Sequence, residues 1–175
     1  QCAAGESEVK MTVHTGEYAF EGYWQIVPNA NNCGTGIIAE GGNNAVGCNG
    51  AGNQNQTPGG YGNNLEVNEG PWCLTTGAQY KLIYTDDWGD GGFGFDIFVD
   101  GSQIKSFDGV GLGATFTFKA EAPVAYDLSV FGSNLYSYVA LAPQNIHTHV
   151  FNGGSETIMS YDLMYSVNGG TAQKH

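Results

Sequence analysis

The stretch FGFDIFVDGSQIKSF, residues 93–107, decides the fold class. Its apolar residues recur at every second position from Phe93 to Val99, and this period of two places them on one face of a β-strand. Asp100 and Gly101 form a turn dipeptide before a second strand-like run. The stretch therefore predicts a β-hairpin.

Other segments show the same alternation, namely EVKMTVH at 8–14, YKLIY at 80–84 and ATFTFKA at 114–120. No window keeps apolar residues at helical spacing over three turns without a glycine or proline interrupting it. The chain is therefore predicted to be all-β. We expect residues 1–122 to form an antiparallel β-sandwich or jelly-roll-like domain.

A second domain is predicted at 123–175, after a proline and several small residues interrupt the pattern. It shows three strand-like segments, at 126–131, 138–151 and 157–167. An immunoglobulin-like sandwich needs about seven strands, so these three predict only its first half. We expect the remainder to lie beyond His175, or the open edge to be covered by the first domain or by a partner.

Charge and cysteine content narrow the classes of function. Seventeen acidic residues stand against five lysines with no arginine, giving a net charge of −12, which argues against binding nucleic acid or anionic lipid. No apolar run approaches the roughly 20 residues of a membrane span. Four cysteines and a first residue, Gln1, that is not methionine predict a processed chain that is secreted or lies on the outer cell surface.

Residues 41–64 are predicted to form a long surface loop, because they hold eight glycines and seven asparagines. Ordering such a loop costs conformational entropy, so a covalent link is expected. Cys33 and Cys48 flank its first part, and closing that span would stabilise the fold by roughly 3 kcal/mol. Cys2 would then pair with Cys73, although four cysteines allow three pairings.

The segment YTDDWGDGG, residues 84–92, places Asp86, Asp87 and Asp90 among glycines just before the hairpin. Carboxylates held this close repel one another unless a cation lies between them. Calcium accepts six to eight oxygen ligands, and the glycines allow tight turns that could direct the carboxylates to one point. The sequence thus predicts a calcium site. The alternative is an acidic turn that is simply solvated.

Two longer motifs resemble a known module. TGEYAFEGYW at 15–24 and CLTTGAQYKLIYTDDWGDGG at 73–92 are similar to T-D-x-Y-P-x-E-x-x-W and C-x-x-x-G-x-Y motifs followed by a D-x-x-G-D-G loop. These belong to a module of secreted Bacteroidetes surface proteins, cargo of the type IX secretion system. The match covers roughly residues 7–120. The tail resembles the immunoglobulin-like, adhesion-repeat domains that follow such modules.

The resemblance implies a β-sandwich with calcium in the D-x-x-G-D-G loop and a role in adhesion or substrate docking. Glu21 matches the acidic position of the first motif. The motif's aspartate is Gly16 here and its proline is Ala19, so Glu17 is a candidate to supply the missing acidic contact. The acidic residues assigned to the metal on this basis are Asp86, Asp87, Asp90, Glu21 and Glu17.

Residue types suggest two further candidate sites, one for a carbohydrate and one for a transition metal. Trp88 and Tyr61, near the asparagine-rich loop, could form a carbohydrate-binding surface, although aromatic residues serve cores just as often. His147 and His149 share one face of a predicted strand and could hold a transition metal with a third ligand. Exposed strand histidines are the simpler interpretation.

Neither a G-x-S-x-G nor an H-E-x-x-H motif is present, and the acidic residues lie in a hydrophilic loop, so we expect no enzymatic activity. The leading hypothesis is a non-catalytic adhesion or binding module whose partner is an extracellular polymer, a surface glycan or a neighbouring protein chain. The alternatives are a structural spacer or filament subunit that pairs through the open C-terminal edge, and an accessory domain of a secreted hydrolase.

Overall fold

The computed structural model describes residues 1–133, 148–166 and 169–174. The chain divides into two compact units, Gln1–Ala122 and Pro123–His175. Both are built from β-strands, and the described residues contain no α-helix. Within these ranges no helix has the length and hydropathy of a membrane span.

The first unit is an antiparallel β-sandwich of two four-stranded sheets, which confirms the predicted fold class. Its strands are β1 (Glu6–Thr15), β2 (Gly22–Pro28), β3 (Ala39–Gly42), β4 (Glu66–Thr75), β5 (Gln79–Asp86), β6 (Phe93–Val99), β7 (Ser102–Asp108) and β8 (Gly113–Lys119). One sheet has the order β4-β1-β6-β7 and the other β3-β2-β5-β8. The hairpin predicted at 93–107 is the β6–β7 pair.

The core lies between the two sheets and follows from the alternation in the sequence. In β6, every second residue from Phe93 to Val99 is buried, and β1 repeats the pattern from Val9 to Val13. The largest fully buried side chain is Trp24 of β2, whose ring meets Trp72 edge to face with 6.1 Å between centroids. Burial of these apolar side chains is the main stabilising contribution to the fold.

The alternation criterion did not identify β4, an edge strand that pairs only with β1 within its sheet. Its sequence, EVNEGPWCLT, contains Gly70 and Pro71, residues that normally argue against a strand. The pairing with β1 shifts register between Val9 and Met11, next to these residues. An edge position tolerates this because proline there costs no hydrogen bond to an outer neighbour.

Two disulfide bonds hold the first unit together, and they are the pairings that the loop-closure argument favoured. Cys2–Cys73 joins the start of the chain to β4, and Cys33–Cys48 closes the first part of the long connection between β2 and β4. All four cysteines of the sequence are therefore oxidised.

The loop at 41–64 is also held by buried polar side chains, which composition did not reveal. The Asn43 amide is buried and donates to the carbonyl oxygens of Phe20 and Thr57, at 2.6 and 2.7 Å. Tyr61 donates to Glu69 Oε1 at 2.6 Å and accepts from Trp24 Nε1 at 3.1 Å. The start and the end of the loop are thereby joined to the sandwich.

The second unit is described only in part. Strand β9 (Leu128–Ser133) pairs with β10 (Thr148–Asn152), and β11 (Met164–Tyr165) pairs with β12 (Gln173–Lys174). Much of the strand predicted at 138–151 lies outside the described residues. The strand predicted over 157–167 is reduced to β11, since residues 157–163 run without strand pairing. Alternation in sequence specifies a strand only where a neighbour supplies the hydrogen bonds.

Candidate metal centre

The acidic site forms where β2 begins and β5 ends. Gly22 pairs with Asp86 in the β2–β5 register, so Glu21, just before β2, lies beside the end of β5. The Asp87 N–H donates to the Glu21 carbonyl oxygen at 2.9 Å, which fixes this arrangement. The pairing therefore brings together acidic residues that are far apart in the sequence.

The turn after β5 places Asp90 at the same point. Asp86 Oδ1 accepts from the backbone N–H groups of Trp88, at 3.1 Å, and Gly89, so its carboxylate organises the turn. Gly89 and Gly91 have positive φ angles of 92° and 86°. At Gly91 a side chain would also meet the Gly109 carbonyl oxygen at 2.6 Å, so glycine is needed both for its conformation and for space.

Three carboxylates meet as a result. Glu21, Asp86 and Asp90 each offer one oxygen, and these three oxygens all lie within 4.8 Å of one another. Calcium binds oxygens at about 2.3–2.6 Å, so two ligands of one ion are separated by at most about 5 Å. The spacing of the three oxygens fits the coordination sphere of a single calcium ion.

Within the described part of the chain, two buried carboxylate oxygens are unpaired, one on Glu21 within the group and one on Asp87, which follows Asp86 in the chain. Glu21 Oε2 and Asp87 Oδ1 have no hydrogen-bond partner among the described residues, although Glu21 is only 4% exposed and Asp87 only 2%. Buried polar atoms are nearly always satisfied, because leaving one unpaired costs about 1–3 kcal/mol, and more for a charged group. An unpaired carboxylate oxygen in an acidic cluster is a position for a bound cation.

The electrostatics of the cluster lead to the same inference. Burial raises the pKa of Glu21, and the charges of Asp90, Asp86 and Asp87 raise it further. No ion pair formed by the described residues includes any of these four side chains. Protein cations therefore do not offset the repulsion, and a divalent ion would.

Tyr84 is a contributor that sequence reasoning missed. Its buried hydroxyl donates to Asp86 Oδ2 at 2.8 Å, and burial followed by this hydrogen bond raises the pKa of Tyr84 well above its usual value. Both Asp86 oxygens are thus fixed in orientation. Strand alternation could have indicated the contact, because Tyr84 and Asp86 are two residues apart on the same face of β5.

The predicted metal residues divide into three groups. Glu21, Asp86 and Asp90 are brought together, and Asp87 is adjacent, with its Oδ2 accepting from the Gln56 N–H at 3.1 Å. Glu17 is exposed and does not join this group. The chain reaches Glu21 through a 3₁₀ turn at Ala19–Glu21, which directs Glu21 inward and leaves Glu17 before the turn.

The predicted ligand-binding residues, Trp88 and Tyr61, do not line the same pocket. Trp88 is 40% exposed and lines a pocket of about 350 Å³ together with Tyr18, Phe20, Glu21, Gln56 and Asp90. Tyr61 is not part of that lining: its ring packs against Phe93 and its hydroxyl is held by Trp24 and Glu69. Tyr61 therefore joins the loop to the sandwich. Of the two histidines weighed for a transition metal, His147 lies outside the described residues.

The acidic site is also joined to the long loop. The N–H groups of Gly52 and Gln54 donate to the carbonyl oxygens of Asp86 and Asp87, both at 3.0 Å, and Gln56 bonds the Asp87 carboxylate. Every second residue from 52 to 56 thus donates a hydrogen bond to one of two consecutive aspartates. A shift of Asp86 and Asp87 would therefore also move residues 52–56 or break these hydrogen bonds.

Comparisons with protein-family models, with curated proteins and with solved structures find no match for this chain.

Proposed function

We propose that this chain is a non-catalytic, calcium-dependent binding module that acts outside the cell, in which one calcium ion bound by Glu21, Asp86 and Asp90 orders the loop at 52–56. The observation that carries the proposal is the unpaired, buried Glu21 Oε2 within a group of three carboxylates. Two disulfides and a strongly acidic composition are compatible with an extracellular location.

Calcium is preferred to other common ions because of the ligands and their setting. Carboxylate oxygens suit hard cations, whereas zinc and copper favour the nitrogen and sulfur ligands that are not part of this cluster. Magnesium demands octahedral geometry with oxygens near 2.0–2.1 Å and retains several waters. Three carboxylates gathered around one point, one of them on a turn, suit the larger and more adaptable calcium ion.

The role assigned to the ion follows from the hydrogen bonds at 52–56. With the carboxylates neutralised, Asp86 and Asp87 can hold fixed positions and keep their bonds to the loop. Without a cation, repulsion among four acidic side chains favours their separation, which weakens those bonds. The ion thus controls the order of an exposed segment beside a pocket, as expected for a binding module.

The proposal is tested by thermal unfolding of the wild type and Asp90→Asn, with calcium and with chelator. Dissociation constants of extracellular calcium modules are roughly 0.1–1 mM, so about 10 mM calcium should stabilise the wild type by roughly 1.4–2.7 kcal/mol. The variant should gain far less. In calcium the wild type should therefore be the more stable protein. In chelator Asp90→Asn should be at least as stable as the wild type, because the substitution removes one like charge from the cluster.

The reversal distinguishes a metal site from a solvated acidic turn, in which calcium would leave both midpoints unchanged. Glu17→Gln is the matched control, since Glu17 is a nearby exposed acid outside the group. It should respond to calcium as the wild type does. An unchanged wild-type midpoint in calcium would refute the proposal, and loss of the response in Glu17→Gln would refute the ligand assignment.

Hydrogen exchange should report the same ion at the loop. We expect amide exchange in residues 50–57 to slow by at least tenfold when calcium is added, because the bonds of Gly52, Gln54 and Gln56 depend on the two aspartates. Mass spectrometry of peptides from this segment measures the change. The same peptides from Asp90→Asn are the control, and their exchange should not change when calcium is added. Equal exchange of the loop with calcium and with chelator would show that the ion does not order it.

A further inference from the structure

A pocket opens directly beside the proposed calcium site. Its lining combines two cluster carboxylates, Glu21 and Asp90, with the aromatic side chains of Tyr18, Phe20 and Trp88 and the amide of Gln56. Its volume of about 350 Å³ lies within the range of small-molecule sites, roughly 300–1,000 Å³. A ligand in this pocket would reach an ion bound to Glu21 and Asp90.

The charge of the pocket selects among ligand classes. Three carboxylates and one calcium ion leave a net charge of −1, and the adjacent Asp87 makes the surroundings more negative. An anionic ligand would be repelled by this field. Calcium still requires further oxygen ligands, because three carboxylates do not by themselves complete a sphere of six to eight unless all bind through both oxygens. A neutral molecule with neighbouring hydroxyl groups meets both conditions.

The aromatic side chains add a second requirement. Tyr18 is 57% exposed and Trp88 is 40% exposed, and both line the pocket. The ring of a sugar presents a face of C–H groups that packs on the electron-rich face of an aromatic ring. Gln56 also lines the pocket, and a glutamine side chain has one acceptor and two donors with which to bind remaining hydroxyls. The backbone of Gln56 has a φ of 47°, in the left-handed region, and its N–H donates to Asp87 Oδ2 at 3.1 Å.

We propose that this pocket binds a neutral sugar ring of a glycan, with two neighbouring hydroxyls coordinated to the calcium ion and the ring packed on Trp88. This inference rests on the proposed function, because it requires the ion at Glu21, Asp86 and Asp90. It replaces the pairing of Trp88 and Tyr61 expected from the sequence, since Tyr18 lines the pocket and Tyr61 does not.

The test is binding of the full chain to an array of immobilised neutral and sialylated glycans, in about 10 mM calcium and in chelator. We expect neutral glycans to be bound in calcium only. Trp88→Ala should weaken binding at least tenfold while keeping the thermal shift with calcium. Asp90→Asn should lose both. Tyr126→Ala, which removes an exposed aromatic side chain of the second unit, is the matched control and should bind as the wild type does.

The thermal shift separates the two proposals. If calcium stabilises the wild type but no neutral glycan binds, or if Trp88→Ala binds equally well, the sugar site is refuted and the calcium module stands. If calcium has no effect on stability, both fail. Binding of tetramethylammonium that persists in chelator and is displaced by calcium would also refute the sugar site, since the carboxylates and rings would then form a pocket for an organic cation.

Discussion

Asp86→Ala is expected to lower the free energy of unfolding by roughly 3–5 kcal/mol in chelator, because three donors lose a charged acceptor. These donors are the Tyr84 hydroxyl and the N–H groups of Trp88 and Gly89. Relief of repulsion with Glu21 and Asp90 offsets only part of this loss, since the buried Tyr84 hydroxyl finds no water to replace the carboxylate. Urea-induced unfolding measures the change.

The same variant should lose the response to calcium, because Asp86 is one of the three ligands proposed for the ion. The matched variant is Tyr84→Phe, which removes the donor and leaves the carboxylate. Combining the two changes should cost less than the sum of the single effects, with a coupling of about 0.5–3 kcal/mol. A loss below about 1 kcal/mol for Asp86→Ala, or strict additivity in the double variant, would contradict the assigned role of this carboxylate.

Replacing the Cys2–Cys73 disulfide by two alanines is the second change expected to have a large effect. The bond closes a separation of 71 residues, and the chain-entropy model gives a loss of roughly 4 kcal/mol for a loop of this size. It also joins the first residues to β4, an edge strand that pairs on one side only. The free energy of unfolding from denaturant titration measures the loss.

The Cys33–Cys48 pair provides the comparison, since it closes a separation of only 15 residues and should cost roughly 3 kcal/mol. Its removal should instead have the larger effect on the long loop, whose first part it closes. Hydrogen exchange of residues 34–47 should therefore increase more in Cys33→Ala/Cys48→Ala than in Cys2→Ala/Cys73→Ala. A greater global loss from the shorter link would contradict the loop-closure argument.

The sequence predicts those parts of the fold in which each residue's role depends on near neighbours. Alternation located β1, β5, β6 and β8, because each buries side chains of one face in the core, and the turn dipeptide Asp100-Gly101 located β7. It did not identify β2, which is buried at consecutive positions, or the short β3, and it failed at β4, whose pairing with β1 shifts register next to Gly70 and Pro71. It also overextended β11, because the 157–167 segment alternates, but its residues 157–163 have no strand partner among the residues that the structure describes.

Only those residues of the candidate site that are close together in the sequence could be predicted from it. Asp86 and Asp90 stand out because they crowd one short glycine-rich turn. The role of Glu21 depends on the β2–β5 register, which composition and spacing do not reveal, and only the resemblance pointed to it. The roles of Asn43 and Tyr61 likewise could not be predicted from composition and spacing. Their hydrogen bonds depend on the path of a loop whose sequence is uniformly polar.

The long loop is held by Asn43 near its start and by Tyr61 near its end, while every residue from 51 to 60 is exposed. Side chains in this exposed stretch do not contact the hydrophobic interior, so those that are not glycine can be exchanged with little effect on the core. Gln56 lies in the same stretch and borders the pocket. Under the proposed function, a substitution at this position would change the ligand that is bound and leave the sandwich unchanged, much as antibody loops diversify on a common framework.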